Sequence, residues 1–326
     1  MACRNVCKYS NINGGGGVDN EATITGLSGV LPVLPTIFDA QGAIDEHGMH
    51  RVIEYIIGAG AHGIVYPGLA SEYDRLSRDE RLQMTRRVGE RIGGRVPFVV
   101  GASAASPQDA IAYAAAGAGA GAAAAMVLTP AAFADDMEAM AGFFRAAHEG
   151  SGIDIMLQNA PAPMGIGLPL QKVAALARAV AGIVYVKEET PPSGQRIMQL
   201  TELTQGSLRA VFGGGGARHV IDELIRGAKG TMPACEITGL HVAMLDLFHR
   251  GDETGARNLF ERTLPLLNMQ AVFRWRLTKA VLHRRGLIDS CFTRAPGPEL
   301  DRFDWAEIDQ LLARMADLAS FDRVPV

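Results

Sequence analysis

Between residues 29 and 250 a short apolar run is followed by a longer amphipathic one, eight times in succession, and few folds accommodate that rhythm. Strand candidates lie at 29–38, 63–66, 96–100, 124–128, 153–157, 183–186, 208–212 and 229–232. Between them, apolar residues three and four apart mark helices. The first spans 45–59 and gathers Met49, Val52, Ile53, Ile56 and Ile57 on one face. The second spans 77–92, where Ser77 and Glu80 form a capping box. Further helices begin near Pro107, Met137, Leu168, Ser193 and His219, and 237–250 supplies the eighth. Strands alternating with helices predict a parallel sheet, and eight units predict an α/β fold closed as a (β/α)8 TIM barrel. A doubly wound open sheet is the alternative, but no Gly-x-Gly-x-x-Gly follows the first strand.

The chain has 326 residues, more than the roughly 250 of such a barrel. Residues 1–26, interrupted by Gly14–Gly17, read as a flexible N-terminal extension. The barrel takes 27–250. From 251 to 326 the pattern is purely helical, with helices predicted at 256–267, 271–285 and 305–318. The Gly/Ala-rich stretch 117–125 reads as a tightly packed helix end before the fourth strand rather than as a linker.

Composition narrows the function. With 48% hydrophobic residues the chain can bury a large core, and a net charge of −4 with scattered basic residues argues against nucleic acid or a membrane surface as partner. No apolar run approaches the roughly 18–20 residues of a membrane span, and the N-terminus lacks the continuous apolar core of a secretory signal. Cysteines at 3, 7, 235 and 291 form neither a disulfide framework nor a metal-ligand spacing, and no pair among the eight histidines resembles a metal site. The expectation is a cytoplasmic enzyme without metal or cofactor.

Active sites of such barrels form at the C-terminal ends of the strands. The strand ends here carry Pro35-Thr36, Gly68–Glu72, Gly101–Ser103, Thr129-Pro130, Gln158-Asn159, Lys187–Glu189, Gly213–Gly216 and Pro233–Glu236. Lys187 stands apart: it ends an apolar strand in a chain with only five lysines. Side chains alternate along a strand, so Tyr185, Lys187 and Glu189 share one face, while Val184, Val186 and Glu188 share the other. A partly desolvated lysine is more readily the neutral amine that attacks a ketone. An ordinary salt-bridged lysine is the plainer alternative at this point.

Several ordered motifs add to this. The first strand at 29–38, Gly68-Leu-Ala-Ser-Glu72 with Leu76-Ser77, Thr129-Pro130, Asn159 with Pro161, and Val186-Lys-Glu188 together resemble the dihydrodipicolinate synthase/N-acetylneuraminate lyase family. That resemblance implies a Schiff base between Lys187 and a small 2-keto acid, a lyase activity, no cofactor beyond the lysine imine, and a homotetramer. Three departures argue against a true dihydrodipicolinate synthase. The family's catalytic tyrosine falls at Ala132, its Thr-Thr proton relay at Leu69-Ala70, and its carboxylate-gripping arginine at Pro163. The sequence is more similar to the 2-keto-3-deoxyarabonate dehydratase branch, in Gln158-Asn-Ala-Pro161, in Lys187-x-Glu189 and in Gly227-Ala-Lys-Gly-Thr-Met-Pro233. By that resemblance Glu189 takes over proton transfer, although the acid this branch tends to carry in the seventh-strand loop is missing from Gly213–Gly216.

The expected catalytic pair is therefore Lys187 and Glu189, the latter with a carboxyl pKa raised by an apolar barrel mouth. Ser71, Glu72, Thr129, Asn159 and Gly215 are the expected substrate contacts, with backbone amides around Ser71 and Glu72 and the glycine-rich turn receiving the substrate carboxylate. Tyr66 and Tyr73 are candidates for a displaced phenol. Aldol cleavage, condensation with pyruvate, a phosphate- or flavin-binding role for the glycine-rich turn, and a non-catalytic sensor barrel are the competing readings.

Overall fold

A computed structural model describes residues 26–318. The expected extension at 1–26, with Cys3 and Cys7, lies outside the described residues apart from Gly26. Eight parallel strands run in chain order: β1 Gly29–Val30, β2 Ile64–Tyr66, β3 Phe98–Gly101, β4 Ala124–Leu128, β5 Ile155–Asn159, β6 Ile183–Glu188, β7 Ala210–Phe212 and β8 Gly230–Thr231. Strands β2 to β7 form one continuous ladder and β1 pairs with β8. Parallel bridges from Val33 to Val65 and Ala234, and from Gly213 to Thr231, close the ring. The structure is the predicted (β/α)8 barrel.

The first strand is much shorter than its apolar run of 29–38 suggests. Pro32 and Pro35 carry no N–H, so the ladder cannot run through them. Leu31, Val33 and Leu34 still donate to Thr231, Pro233 and Val65, which keeps the segment in the wall.

Side-chain alternation sorts the core into layers. Val65, Val99, Met126, Met156, Tyr185 and Phe212 from β2 to β7, with Leu31 and Val33 just after β1 and Met232 just after β8, fill the barrel interior. A larger cluster lies between the strands and the helices α1 Glu46–Gly58, α2 Arg78–Ile92, α3 Pro107–Gly119, α4 Met137–Ser151, α5 Leu170–Ala179 and α6 Ser193–Thr204. The Ser77–Glu80 capping box opens α2 as expected. The remaining helices, α7 Val220–Ile225, α8 Thr238–His249, α9 Glu253–Phe273, α10 Trp275–Arg284 and α11 Arg302–Met315, share a third cluster.

The C-terminal helices differ from expectation in one respect that bears on the site. The predicted break after 267 is absent, and α9 continues through Pro265 to Phe273. The chain turns instead at Arg274, whose φ of 51° and ψ of −124° are uncommon for a residue with a side chain. Among the described residues no helix is long and apolar enough to cross a membrane.

Candidate active site

β6 aims its end into the barrel mouth. A register shift opposite Ile155 and Met156 re-phases the strand, after which Lys187 stands between Gln158 of β5 and Phe212 of β7. Lys187 and Glu189 point to the same side, and Nζ lies 3.2 Å from the Glu189 Oε1, with the two side chains 5% and 8% exposed. Glu188 points the other way. Its carboxylate accepts from Asn159 Nδ2 (2.9 Å), the Thr190 amide (2.8 Å) and Arg196 (3.2 Å). The alternation along this strand thus separates two adjacent carboxylates into a structural one and one facing the lysine.

Glu189 is held on three sides. Gln158 Nε2 donates to Oε1 at 2.6 Å, and the amide of Gly215 donates to Oε2 at 2.9 Å. Burial alone would raise its carboxyl pKa. The positive charge of Lys187 and the Gly215 and Gln158 donors outweigh that, and hold it below the ordinary glutamate value. The expectation of a raised pKa fails here because the mouth is not apolar around this group. At neutral pH Glu189 is a carboxylate, ready to accept a proton.

The pair opens into a cavity of about 110 Å³, well below the roughly 300–1,000 Å³ of pockets for drug-sized ligands. Val33, Leu69, Ala70, Met164, Met232 and Trp275 give it apolar walls, and Gln270, Arg218 and Arg274 bring polar groups. Among the described residues, none lining it is a tyrosine. Ala132 lies in the turn after β4 and borders a different cavity. Tyr66 is fully buried against Thr36 Oγ1 (3.2 Å), and Tyr73 lies under the guanidinium of Arg81, so neither phenol reaches Lys187's cavity.

The turn Gly213–Gly216 is packed from two directions by carboxylates. A Cβ on Gly213 would collide with Oε2 of Glu223, and one on Gly214 would come within 2.6 Å of the Glu189 carboxyl. A side chain at either position would have to push one of these carboxylates aside. Glu223, from α7, accepts from Ser193 Oγ at 2.7 Å, and burial pushes its carboxyl up to about 7. Glu223 packs behind the turn and does not line the cavity that holds Lys187 and Glu189. A phosphate on this turn would meet the Glu189 carboxylate already bound to the Gly215 amide.

Comparison with known proteins places this geometry. Residues 26–314 match the model of the dihydrodipicolinate synthetase family. The chain belongs to that family. It is a lyase on that footing. It is 30% identical over 294 residues to an L-2-keto-3-deoxyarabonate dehydratase from Azospirillum brasilense, covering 89% of this chain and 95% of that one. It is also 30% identical over 225 residues to a 4-hydroxy-tetrahydrodipicolinate synthase from Stenotrophomonas maltophilia, covering 66% and 75%. A crystal structure of dihydrodipicolinate synthase from Rhodopseudomonas palustris superposes with a TM-score of 0.81 at 27% identity, over 88% of this chain and 97% of that one.

Within this family member, the residues singled out from sequence divide into two groups. Lys187, Glu189 and Gly215 come together at the cavity. Ser71, Glu72, Thr129 and Asn159 do not line it. Ser71 Oγ donates to the Leu34 carbonyl (2.5 Å) and accepts from the Gly68 amide (2.8 Å), while the amides of Ser71 and Glu72 donate to Gly68 and Leu69. Glu72 is sealed in an ion pair with Lys279, 2.6 Å away. Asn159 bridges Glu188 and the Leu168 amide, and Thr129 borders a neighbouring cavity. The polar side chains of Ser71, Glu72 and Asn159 are occupied by the protein itself, and the Gly215 amide by Glu189, whereas the Thr129 hydroxyl is buried without a hydrogen-bond partner among the described residues. Gln158, Arg218, Gln270 and Arg274 were missed. Gln158 sat in view at a strand end, whereas Gln270 and Arg274 belong to helices that a survey of strand ends does not reach. Cys235 is buried, and its thiol is held well above the ordinary value by that burial and by Glu236.

Proposed function

We propose that this protein dehydrates a 2-keto-3-deoxy sugar acid, of the L-2-keto-3-deoxyarabonate type, through a Schiff base on Lys187. The observation that carries the reading is the Lys187–Glu189 contact, 3.2 Å long, in a small cavity on whose walls the described residues place no phenol. The kinship with a protein named as such a dehydratase supports the same choice.

The chemistry needs one group to move every proton, and Glu189 is placed for it. As the substrate displaces water, a proton passes from the Lys187 ammonium to the Glu189 carboxylate, and the free amine attacks C2. Glu189 returns that proton to the carbinolamine hydroxyl, which leaves as water, and the iminium forms. The iminium draws electrons from the C3–H bond, so the Glu189 carboxylate can remove a C3 proton and leave an enamine. The enamine expels the C4 hydroxyl, protonated by the same carboxyl, as a second water. Hydrolysis of the conjugated imine consumes one water and restores Lys187. The sum is substrate to product plus one water. Gln158 and the Gly215 amide keep the carboxylate aimed during these transfers and favour its ionised form. The positions that relay protons through hydroxyls in condensing relatives, by resemblance, are Leu69 and Ala70, which adds to the case for dehydration.

Purified protein incubated with five- and six-carbon 2-keto-3-deoxy acids should give a product lighter by one water, seen by mass spectrometry. Release of pyruvate and an aldehyde instead would indicate aldol cleavage and overturn the dehydration step.

A further inference from the structure

The proton-transfer scheme uses one carboxyl and leaves a second, just behind the glycine turn, without a task. Glu223 of α7 is buried. Its Oε1 accepts from Ser193 Oγ of α6 at 2.7 Å, while Oε2 has no hydrogen-bond partner among the described residues. That orphan oxygen is aimed at the turn: a Cβ on Gly213 would collide with it. A Cβ on the next residue, Gly214, would stand 2.6 Å from Oε2 of Glu189, which the Gly215 amide holds from the same turn. Two successive glycines thus each carry a carboxyl, and the backbone of the turn lies between the two acids.

A buried carboxyl with an unpartnered oxygen favours its neutral form. Burial pushes Glu223 up to about 7; the charges of Glu189 and Asp222 add to the rise, and the Ser193 hydroxyl and Lys187 oppose it. Asp222, beside it on α7, is paired with Arg226 at 2.9 Å. The charges of both Glu189 and Glu223 reach Arg218, which leaves the same turn towards the cavity. Interaction between two titrating groups is mutual, so the charge that Glu189 exerts on Glu223 is returned. The missing side chains on Gly213 and Gly214 keep the separation short, and burial keeps water from screening it.

We infer that Glu223 is a positioning residue for proton transfer: its ionisation, felt across the glycine turn, strengthens Glu189 as the base that takes the C3 proton. The inference rests on the imine reading above and on Glu189 as its base. With Glu223 neutral, Glu189 is a carboxylate weakened by the positive charge on the lysine nitrogen and by the Gly215 and Gln158 donors. The iminium keeps that positive charge. When Glu223 ionises, a second negative charge appears behind the turn. Glu189 is already ionised at that pH, so the new charge raises its affinity for a proton without changing its state. A stronger base abstracts the C3 proton faster. The rate of that step therefore rises as pH passes through the Glu223 titration.

The test isolates this step with pyruvate in deuterated water. Pyruvate forms the iminium but has no C4 hydroxyl to expel. Glu189 takes a methyl proton, exchanges it with solvent and returns a deuteron to the same carbon of the enamine, and hydrolysis releases deuterated pyruvate. Loss of the methyl signal is followed by proton NMR on the full-length protein at saturating pyruvate, across neutral pH. The wild-type rate should rise about three- to tenfold in a step near the Glu223 titration. Glu223→Gln should abolish the step and still give the borohydride adduct on Lys187, and Glu223→Asp should keep part of it. Ser193→Ala removes the donor that favours the charged form, so it should move the step to higher pH. No step in the wild type, an equal step in Glu223→Gln, or an unmoved step in Ser193→Ala overturns the inference. Failure to trap pyruvate at all would instead overturn the imine, and exchange that is unchanged in Glu189→Gln would overturn Glu189 as the base.

Discussion

Among the described residues two lysine–glutamate pairs are buried, and they differ in what surrounds them. Lys187 and Glu189 stand 3.2 Å apart at the rim of a cavity. Lys279 and Glu72 stand 2.6 Å apart with both side chains fully shut away. In the second pair the remaining bonding positions are taken. Nζ of Lys279 also donates to the Phe292 carbonyl at 2.8 Å and lies over the Phe38 ring, and the second oxygen of Glu72 receives the Ala295 amide at 2.7 Å. Burial moves the Lys279 amine down to about 8, against the pull of Glu72. That pair clasps the segment after α10 to the turn after β2. The first pair has a looser contact and an open side. The same two side chains thus serve as a fastener in one place and as a proton-transfer couple in the other. What separates them is access to the cavity.

The comparison breaks most visibly at Glu189. Glu189→Gln should form the pyruvate adduct more slowly, since Glu189 also moves the protons of imine formation, and should lose roughly 10²- to 10⁴-fold in turnover, measured by steady-state assay on whichever acid is processed. Turnover within a factor of two of wild type would remove Glu189 from proton transfer.

A stability change comes next. Lys279→Met strands the Glu72 carboxylate and should cost about 3–5 kcal/mol in urea unfolding, and Lys279→Met/Glu72→Gln should recover part of it. The folded fraction of each variant should still trap pyruvate at Lys187. A single substitution that leaves the unfolding midpoint in place would show that the clasp does not hold the C-terminal segment.

The smallest effect is a dependence on pH. Burial pushes the Glu236 carboxyl up to about 7 from an ordinary 4.5, and its Oε2 has no partner. Between those values the folded protein binds more protons than the unfolded chain, so stability falls as pH rises through the window, by roughly 3 kcal/mol at most. Glu236→Gln should flatten that part of the profile, as read by denaturation midpoints at pH 5 and pH 8. An identical slope in wild type and variant would place the proton elsewhere.

The two pairs also show what a sequence discloses. The barrel was legible because its periods are local: apolar runs and helical spacing repeat within a few residues. Lys187 and Glu189 were legible for the same reason, since alternation along one strand puts them on one side. Two errors came from backbone chemistry. Pro32 and Pro35 shorten the first strand, and Pro265 lies inside a helix whose break falls instead at Arg274. The site's other half was hidden because it is non-local. Nothing near Glu72 announces Lys279, so Glu72 read as a substrate contact when it is a clasp. Arg274 enters the cavity only because a C-terminal helix turns there. The Glu189 pKa was misjudged in direction because the charge of Lys187, joined by the Gly215 amide and Gln158 reaching in from the neighbouring turn and strand, outweighs its burial.

Reductive trapping with peptide mapping tests the distinction between the two lysines most directly. The wild-type protein is incubated with pyruvate, reduced with borohydride, digested, and each lysine-bearing peptide weighed. A single adduct on the peptide carrying Lys187, absent in Lys187→Ala, is the predicted result. No adduct, one on Lys279, or one that persists in Lys187→Ala would contradict the assignment of Lys187 as the nucleophile.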